Sequence, residues 1–232
     1  MPEYGETWTY ESIVGAVPGI DIPPRTAIVI QIAVFEGAVL LLAWYYGLWS
    51  AAVAGTVAVA VAALGSAEML RIGAAVRRTD PPAAYRRLLF GTSIEVVLSV
   101  LAFVALVTYL VRLSPGSSLA TVFGPEAPLP VVYLTLLVLW DLCYRIGTGW
   151  WASLVGLWRS ARYRFSPAAA GQFRRIDAET ILFGFAQLLL VPFVTEYPLL
   201  VAALVGHVLA VTVVSGSSIL LLWHREHVTA SA

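Results

Sequence analysis

Six apolar stretches dominate the chain, at 26–47, 48–70, 88–111, 131–157, 180–197 and 199–223. Crossing about 30 Å of hydrocarbon takes roughly 20 helical residues, and each stretch is close to or above that length. Open spans of this kind are helical, because every backbone polar group in lipid has to be paired within its own segment. The pattern predicts an all-α polytopic transmembrane bundle of six helices. The first two are continuous except for a tight turn at Tyr46-Gly47-Leu48-Trp49, and the last two join around Glu196-Tyr197-Pro198. The predicted organisation is an N-terminal segment 1–25, a transmembrane domain 26–223 and a tail 224–232. In the first segment Tyr10, Ile13, Val14 and Val17 share one helical face, which suggests a short interfacial helix ended by Pro18 and the Pro23-Pro24 pair.

The polar residues inside these spans are the candidate site. They are Glu36, Glu95, Asp141, Arg145, Gln187 and His207, with Gln31 beside them. An ionised side chain at the centre of a transmembrane helix costs about 2.5–3.5 kcal/mol, so these groups are expected to face one another or a wet cavity. Asp141 and Arg145 stand four residues apart with the acid first, the spacing and order that favour an ion pair on one helix face. Glu36 and Glu95 then have only His207 as a cationic partner. A titratable acid in mid-membrane is what a proton-linked carrier needs; a structural hydrogen-bonded network would show the same residues.

Small residues predict packing. Ser50, Ala54, Ala58, Ala62 and Ser66 recur every fourth residue in the second span, as do Ala202, Gly206 and Ala210 in the sixth. Such spacing lets helix backbones approach closely, and it places these two helices at the centre. Val34 to Val39, Ser93 to Leu98 and Phe185 to Leu190 each carry one polar residue at a matching place, Glu36, Glu95 or Gln187. Leu-Phe-Gly precedes two of them, and Leu-Trp-Arg at 157–159 is echoed by Leu-Trp-His-Arg at 222–225. These echoes suggest three tandem two-helix hairpins inserted with one orientation, as in carriers built from parallel repeats.

Charge supplies the orientation. Only 12% of the 232 residues are charged, against about a quarter in a soluble domain. All 14 basic residues are Arg and 14 acids balance them, so net charge points to no nucleic-acid partner. The arginines concentrate in two connections. One holds Arg71, Arg77, Arg78, Arg86 and Arg87, the other Arg159, Arg162, Arg164, Arg174 and Arg175. Positive connections stay in the cytoplasm, which puts both termini there. Arg77, Arg78, Arg86, Arg87, Arg162, Arg164, Arg174 and Arg175 are the candidate contacts for anionic lipid headgroups or a cytosolic protein. In composition and topology the chain is similar to uncharacterised multi-pass membrane proteins of archaeal, in particular halophilic, type. That resemblance implies no activity.

No motif calls for a cofactor or a metal. There is no phosphate-binding Gly-rich loop and no Cys-x-x-Cys, and the single Cys143 lies in an apolar run. His224, His227 and Glu226 read as a polar tail rather than a metal site. Ser217 and His207 lie ten residues apart on one helix, about 15 Å along its axis, too far for a nucleophile and its base. Two readings follow: a proton-linked small-solute carrier or channel-like protein, and a non-catalytic scaffold acting through its Arg-rich loops.

Overall fold

The computed structural model describes Trp8, residues 23–113 and residues 128–230. Among them it holds six helices long and apolar enough to cross a membrane, and the protein is a multi-pass membrane protein. We number the helices α1 (Pro24–Tyr46), α2 (Trp49–Thr79), α3 (Ala83–Phe90), α4 (Ile94–Thr108), α5 (Leu129–Arg162), α6 (Pro167–Gln187) and α7 (Pro198–Ala230). A π-helical turn, Tyr109–Leu113, extends α4, and a 3-10 segment, Leu188–Phe193, extends α6. Together α3 and α4 make the third span. Large apolar side chains point outward from every span, among them Val34, Val53, Leu101, Leu137, Leu182 and Leu209, a belt that suits hydrocarbon.

Local sequence accounts for the joints. Gly47 closes α1 in the left-handed region at φ 70°, a conformation glycine adopts without a Cβ penalty, and the Leu48 N–H reaches back to the Ala43 carbonyl at 2.9 Å. The third span breaks at Gly91-Thr92-Ser93, where Ser93 is also left-handed at φ 51°. Ser166 caps α6, its hydroxyl accepting from the Ala169 N–H, and Pro167 follows at the first position, where a missing N–H costs nothing. Pro192 lies inside the 3-10 segment. Its ring would clash with the carbonyl four residues back, at Leu188, so the α-helical geometry of α6 stops at Gln187.

Dense packing within the hairpins α1–α2, α4–α5 and α6–α7 organises the bundle, and α5 touches every other span. This corrects the expectation that the second and sixth spans meet at the centre. Helix α2 does pack inward through Ala58, Ala62 and Ser66, against α1, α5 and α6. The small residues of α7 do not: Ala202 and Gly206 are exposed, and a Cβ on Gly206 would meet nothing within 4 Å. Close approach is made instead at Gly65, where a Cβ would lie 2.7 Å from both Arg145 Cβ and Phe183 Cζ, and at Gly147, 2.6 Å from Ser99 Oγ. Those contacts set the distances of α2 from α5 and α6, and of α5 from α4.

The helices also outrun the apolar stretches. Helix α2 has 31 residues and α5 has 34, about 46 and 51 Å at 1.5 Å per residue, well beyond 30 Å of hydrocarbon. The connections read as Arg-rich loops are therefore mostly helix, and only Tyr163 to Ser166 joins α5 to α6. At this Arg-rich end lies the larger apolar core, with Ile72, Val76, Leu89, Val155, Phe173 and Leu222. Trp8 is fully buried in it, donating its indole N–H to the Met69 carbonyl at 3.0 Å and meeting Phe90 edge-on at 4.9 Å. The amphipathic positions Tyr10, Ile13, Val14 and Val17 and segment 114–127 lie outside the described residues.

Candidate functional site: a buried polar column along α5

One face of α5 carries Asp141, Arg145, Gly149, Ser153, Gly156 and Arg159, at steps of three and four residues. The stripe spans about 27 Å at 1.5 Å per residue, running from mid-bundle to the Arg-rich end. Polar side chains of α1, α2, α6 and α7 meet it along its length.

At the upper end, away from the Arg-rich connections, Arg145 Nη2 sits 2.9 Å from Asp141 Oδ1. Gln31 of α1 completes the group: its Nε2 donates to Asp141 Oδ2 at 2.8 Å, and its Oε1 accepts from Arg145 Nη2 at 3.4 Å. Arg145 Nη1 also meets Met69 Sδ at 3.1 Å. The Arg145 side chain is 1% exposed and that of Asp141 14%. The difference has a cause: a cavity of about 10 Å³, lined by Gln31, Phe35, Val59, Ala62, Val138 and Asp141, reaches the carboxylate. It has room for about one water.

In the middle, Glu68 of α2 is buried and bonded to the Thr180 hydroxyl of α6. Its Oε1 has no hydrogen-bond partner among the described residues. Gly149 lies opposite, where a Cβ would be 3.8 Å from Glu68 Oε2. One turn further along α5, Ser153 accepts from Ser215 of α7 at 3.1 Å and itself donates to the Gly149 carbonyl.

At the Arg-rich end, Arg159 Nη2 and Asp177 Oδ2 of α6 are 2.7 Å apart and almost fully buried. Ser218 of α7 donates to the same carboxylate oxygen at 2.6 Å and contacts Ser160 at 2.7 Å. Tyr85 of α3 accepts from Arg159 at 3.4 Å, and the Phe173 ring lies 4.2 Å from the guanidinium carbon. Four helices are tied together here. Arg159 and Asp177 both fall between the apolar stretches 131–157 and 180–197, and Glu68 lies at the edge of the stretch 48–70, so hydropathy marks none of the three as part of a buried column.

The other candidates scatter. Glu95 is fully buried, yet not in mid-helix: the break at 91–93 puts it in the first turn of α4, where the helix dipole favours an acid. Gln187 is buried with Oε1 unpartnered at the end of α6, and His207 lies against Trp150 with Nε2 unpartnered. Glu36 faces the outside of the bundle, accepting from Thr56 at 2.7 Å. The expectation that the intramembrane polar groups all turn inward is therefore corrected for Glu36. Of the candidate lipid contacts, Arg86 pairs with Asp80, Arg174 with Glu226 and Arg175 with Glu179. Arg78 bonds the Ala74 carbonyl, and Arg77, Arg87, Arg162 and Arg164 are exposed at the same end.

Among the described residues no group of three or more His, Cys, Asp or Glu is placed to hold a metal, and Cys143 is a buried free thiol. Residues 3–218 match a family described as a family of unknown function, DUF7530. No curated protein and no solved structure matches the chain.

Proposed function

We propose that this chain, which belongs to that family, is a proton-linked carrier of a small solute, with the Arg-rich end and both termini in the cytoplasm. The positive-inside rule supports the orientation. Glu68 carries the functional reading. It is a buried carboxyl on the bundle axis, held by a neutral hydroxyl and with one oxygen unpartnered. It stands between the ion pairs Asp141–Arg145 and Asp177–Arg159. Those pairs neutralise themselves, whereas a proton is the smallest partner that completes Glu68. Buried acids without a fixed cation mark proton relays in membrane carriers. In this reading Glu68 takes up and releases the proton, and Asp141, beside its cavity, forms the polar wall on the side away from the Arg-rich end.

The test uses the purified chain in proteoliposomes loaded with a pH-sensitive dye. A membrane potential is imposed, and a panel of amino acids, sugars and carboxylates is added outside. The expected result is solute-dependent proton movement that falls by about tenfold or more in Glu68→Gln, as for loss of a proton-transfer group, with the melting temperature kept. No movement under any gradient or solute would overturn the carrier reading. A scaffold would then be favoured, and the exposed Arg87, Arg162 and Arg164 would be its contacts for anionic lipid.

A further inference from the structure

An aromatic ring interrupts the column between the Asp141 cavity and Glu68. On α2, Ala62 lines that cavity, and Glu68 lies six residues further along the helix, about 9 Å on the axis. Between them stands Gly65. A Cβ there would be 2.7 Å from both Phe183 Cζ and Arg145 Cβ, and 3.0 Å from Arg145 Cγ, so the ring and the aliphatic stem of Arg145 close together on the glycine. On α5, a Cβ on Gly149 would lie 3.5 Å from Phe183 Cδ1 and 3.8 Å from Glu68 Oε2, which sets the ring edge next to the carboxyl. Phe183 is 5% exposed, and Val61, Leu142 and Leu190 belong to the same apolar cluster. Along α6 the buried face reads Thr180, Phe183, Gln187. Thr180, on the Arg-rich side of the ring, bonds Glu68. Gln187, on the other side, is 1% exposed, with Oε1 lacking a hydrogen-bond partner among the described residues. Helices α2 and α6 thus give one order: a polar or cavity-lining residue, the ring or its glycine contact, then Glu68 or its partner.

We propose that Phe183 is the gate between the Asp141 cavity and Glu68. The inference rests on the carrier reading and gives it a barrier on the side away from the Arg-rich end. A carrier whose proton site opened to both sides at once would leak, so alternating access needs a movable barrier on each side. An aromatic ring supplies one, because an apolar constriction closes a path by excluding water. Helix α6 also supplies a joint. Its α-helical geometry ends at Gln187 and a 3-10 segment with Pro192 follows, a place where a helix bends. With the ring turned aside, Gln187 Oε1 would accept from water entering between the cavity and Glu68.

The experiment reads access to position 68 with silver ion, a thiol probe no larger than a water molecule. Glu68→Cys is made in a Cys143→Ser background and reconstituted in proteoliposomes in chloride-free buffer. A C-terminal tag that external protease cannot cleave restricts the reading to chains with the Arg-rich end inside. Silver is added outside, and the thiols left free are measured with fluorescent maleimide after unfolding in SDS. Glu68→Cys is expected to react slowly, and about tenfold faster with Phe183→Ala, the change that removing an opening cost of about 1.4 kcal/mol produces. Phe183→Leu should stay near the slow rate. If Phe183→Ala does not fold, Phe183→Val removes the ring with a smaller cavity and is read the same way. Cys143 of the otherwise native chain is the control. It stands two residues from both Asp141 and Arg145, so it faces the opposite side of α5, and its reactivity should not change in Phe183→Ala. Equal rates with and without the ring would overturn the proposal, and so would a Cys143 that quickens alongside, the mark of a loosened bundle. No proton or solute enters this reading. Unchanged silver access beside solute-dependent proton movement in the dye assay would remove the gate alone. Ring-dependent access without such movement would remove the carrier reading and leave the barrier at Phe183 standing.

Discussion

Asp177→Leu is expected to lower the free energy of unfolding by about 3–5 kcal/mol, the cost of breaking a buried ion pair from one side. The change leaves Arg159, almost fully buried, with only Tyr85 and the serines Ser160 and Ser218 and the Phe173 ring. Arg159→Met should be similarly damaging, because it strands the Asp177 carboxylate with Ser218 alone. The double variant Arg159→Met with Asp177→Leu removes both charges together and should recover most of the loss, since an apolar replacement of a buried pair is often close to neutral. Unfolding by SDS titration in mixed micelles reads all three. If both single variants are as stable as wild type, Arg159 and Asp177 do not form the junction of α3, α5, α6 and α7.

The second large effect concerns Asp141 and Arg145, and it should be asymmetric. Asp141→Leu leaves a guanidinium that is 1% exposed, beside the neutral Gln31 carbonyl oxygen and Met69 sulfur and the Tyr144 ring at 5.3 Å, with its carboxylate partner gone. A loss of about 3–5 kcal/mol is expected. Arg145→Leu leaves a carboxylate that keeps the Gln31 amide donor and borders the cavity, so about 1–3 kcal/mol is expected. The double Leu variant should again recover much of the loss. The same titration checks the order. Equal losses, or a larger loss for Arg145→Leu, would mean that the cavity brings Asp141 no relief.

Which features the sequence disclosed follows from the distance over which each is written. Six helices and three hairpins rest on local hydropathy, and the Asp141–Arg145 contact rests on a spacing of four within one helix. The Arg159–Asp177 pair was hidden for two reasons. The partners are 18 residues apart on different helices, and hydropathy ends a span where arginines begin although the helix itself runs on. Glu68 meets Thr180 across more than a hundred residues, a contact with no local signature. The displacement of Glu95 to a helix start does have one, the Gly91-Thr92-Ser93 triplet, but an apolar run masks it. The small residues of α7 misled because spacing shows that a helix can be approached closely, not that a neighbour does so. Glu36 misled in the same way: its cost in lipid is legible, while the direction it faces depends on how α1 turns against α2.

The proton role of Glu68 is the centre of the account, and infrared difference spectroscopy of the protein in membranes tests it most directly. Spectra of wild type and Glu68→Gln are recorded as the bulk pH is cycled in H2O and in D2O. The account predicts a carboxyl C=O band that is missing from Glu68→Gln, that rises and falls with pH in wild type, and that shifts in D2O as the buried proton exchanges. A Glu68 band that stays constant through the cycle and unshifted in D2O would contradict it.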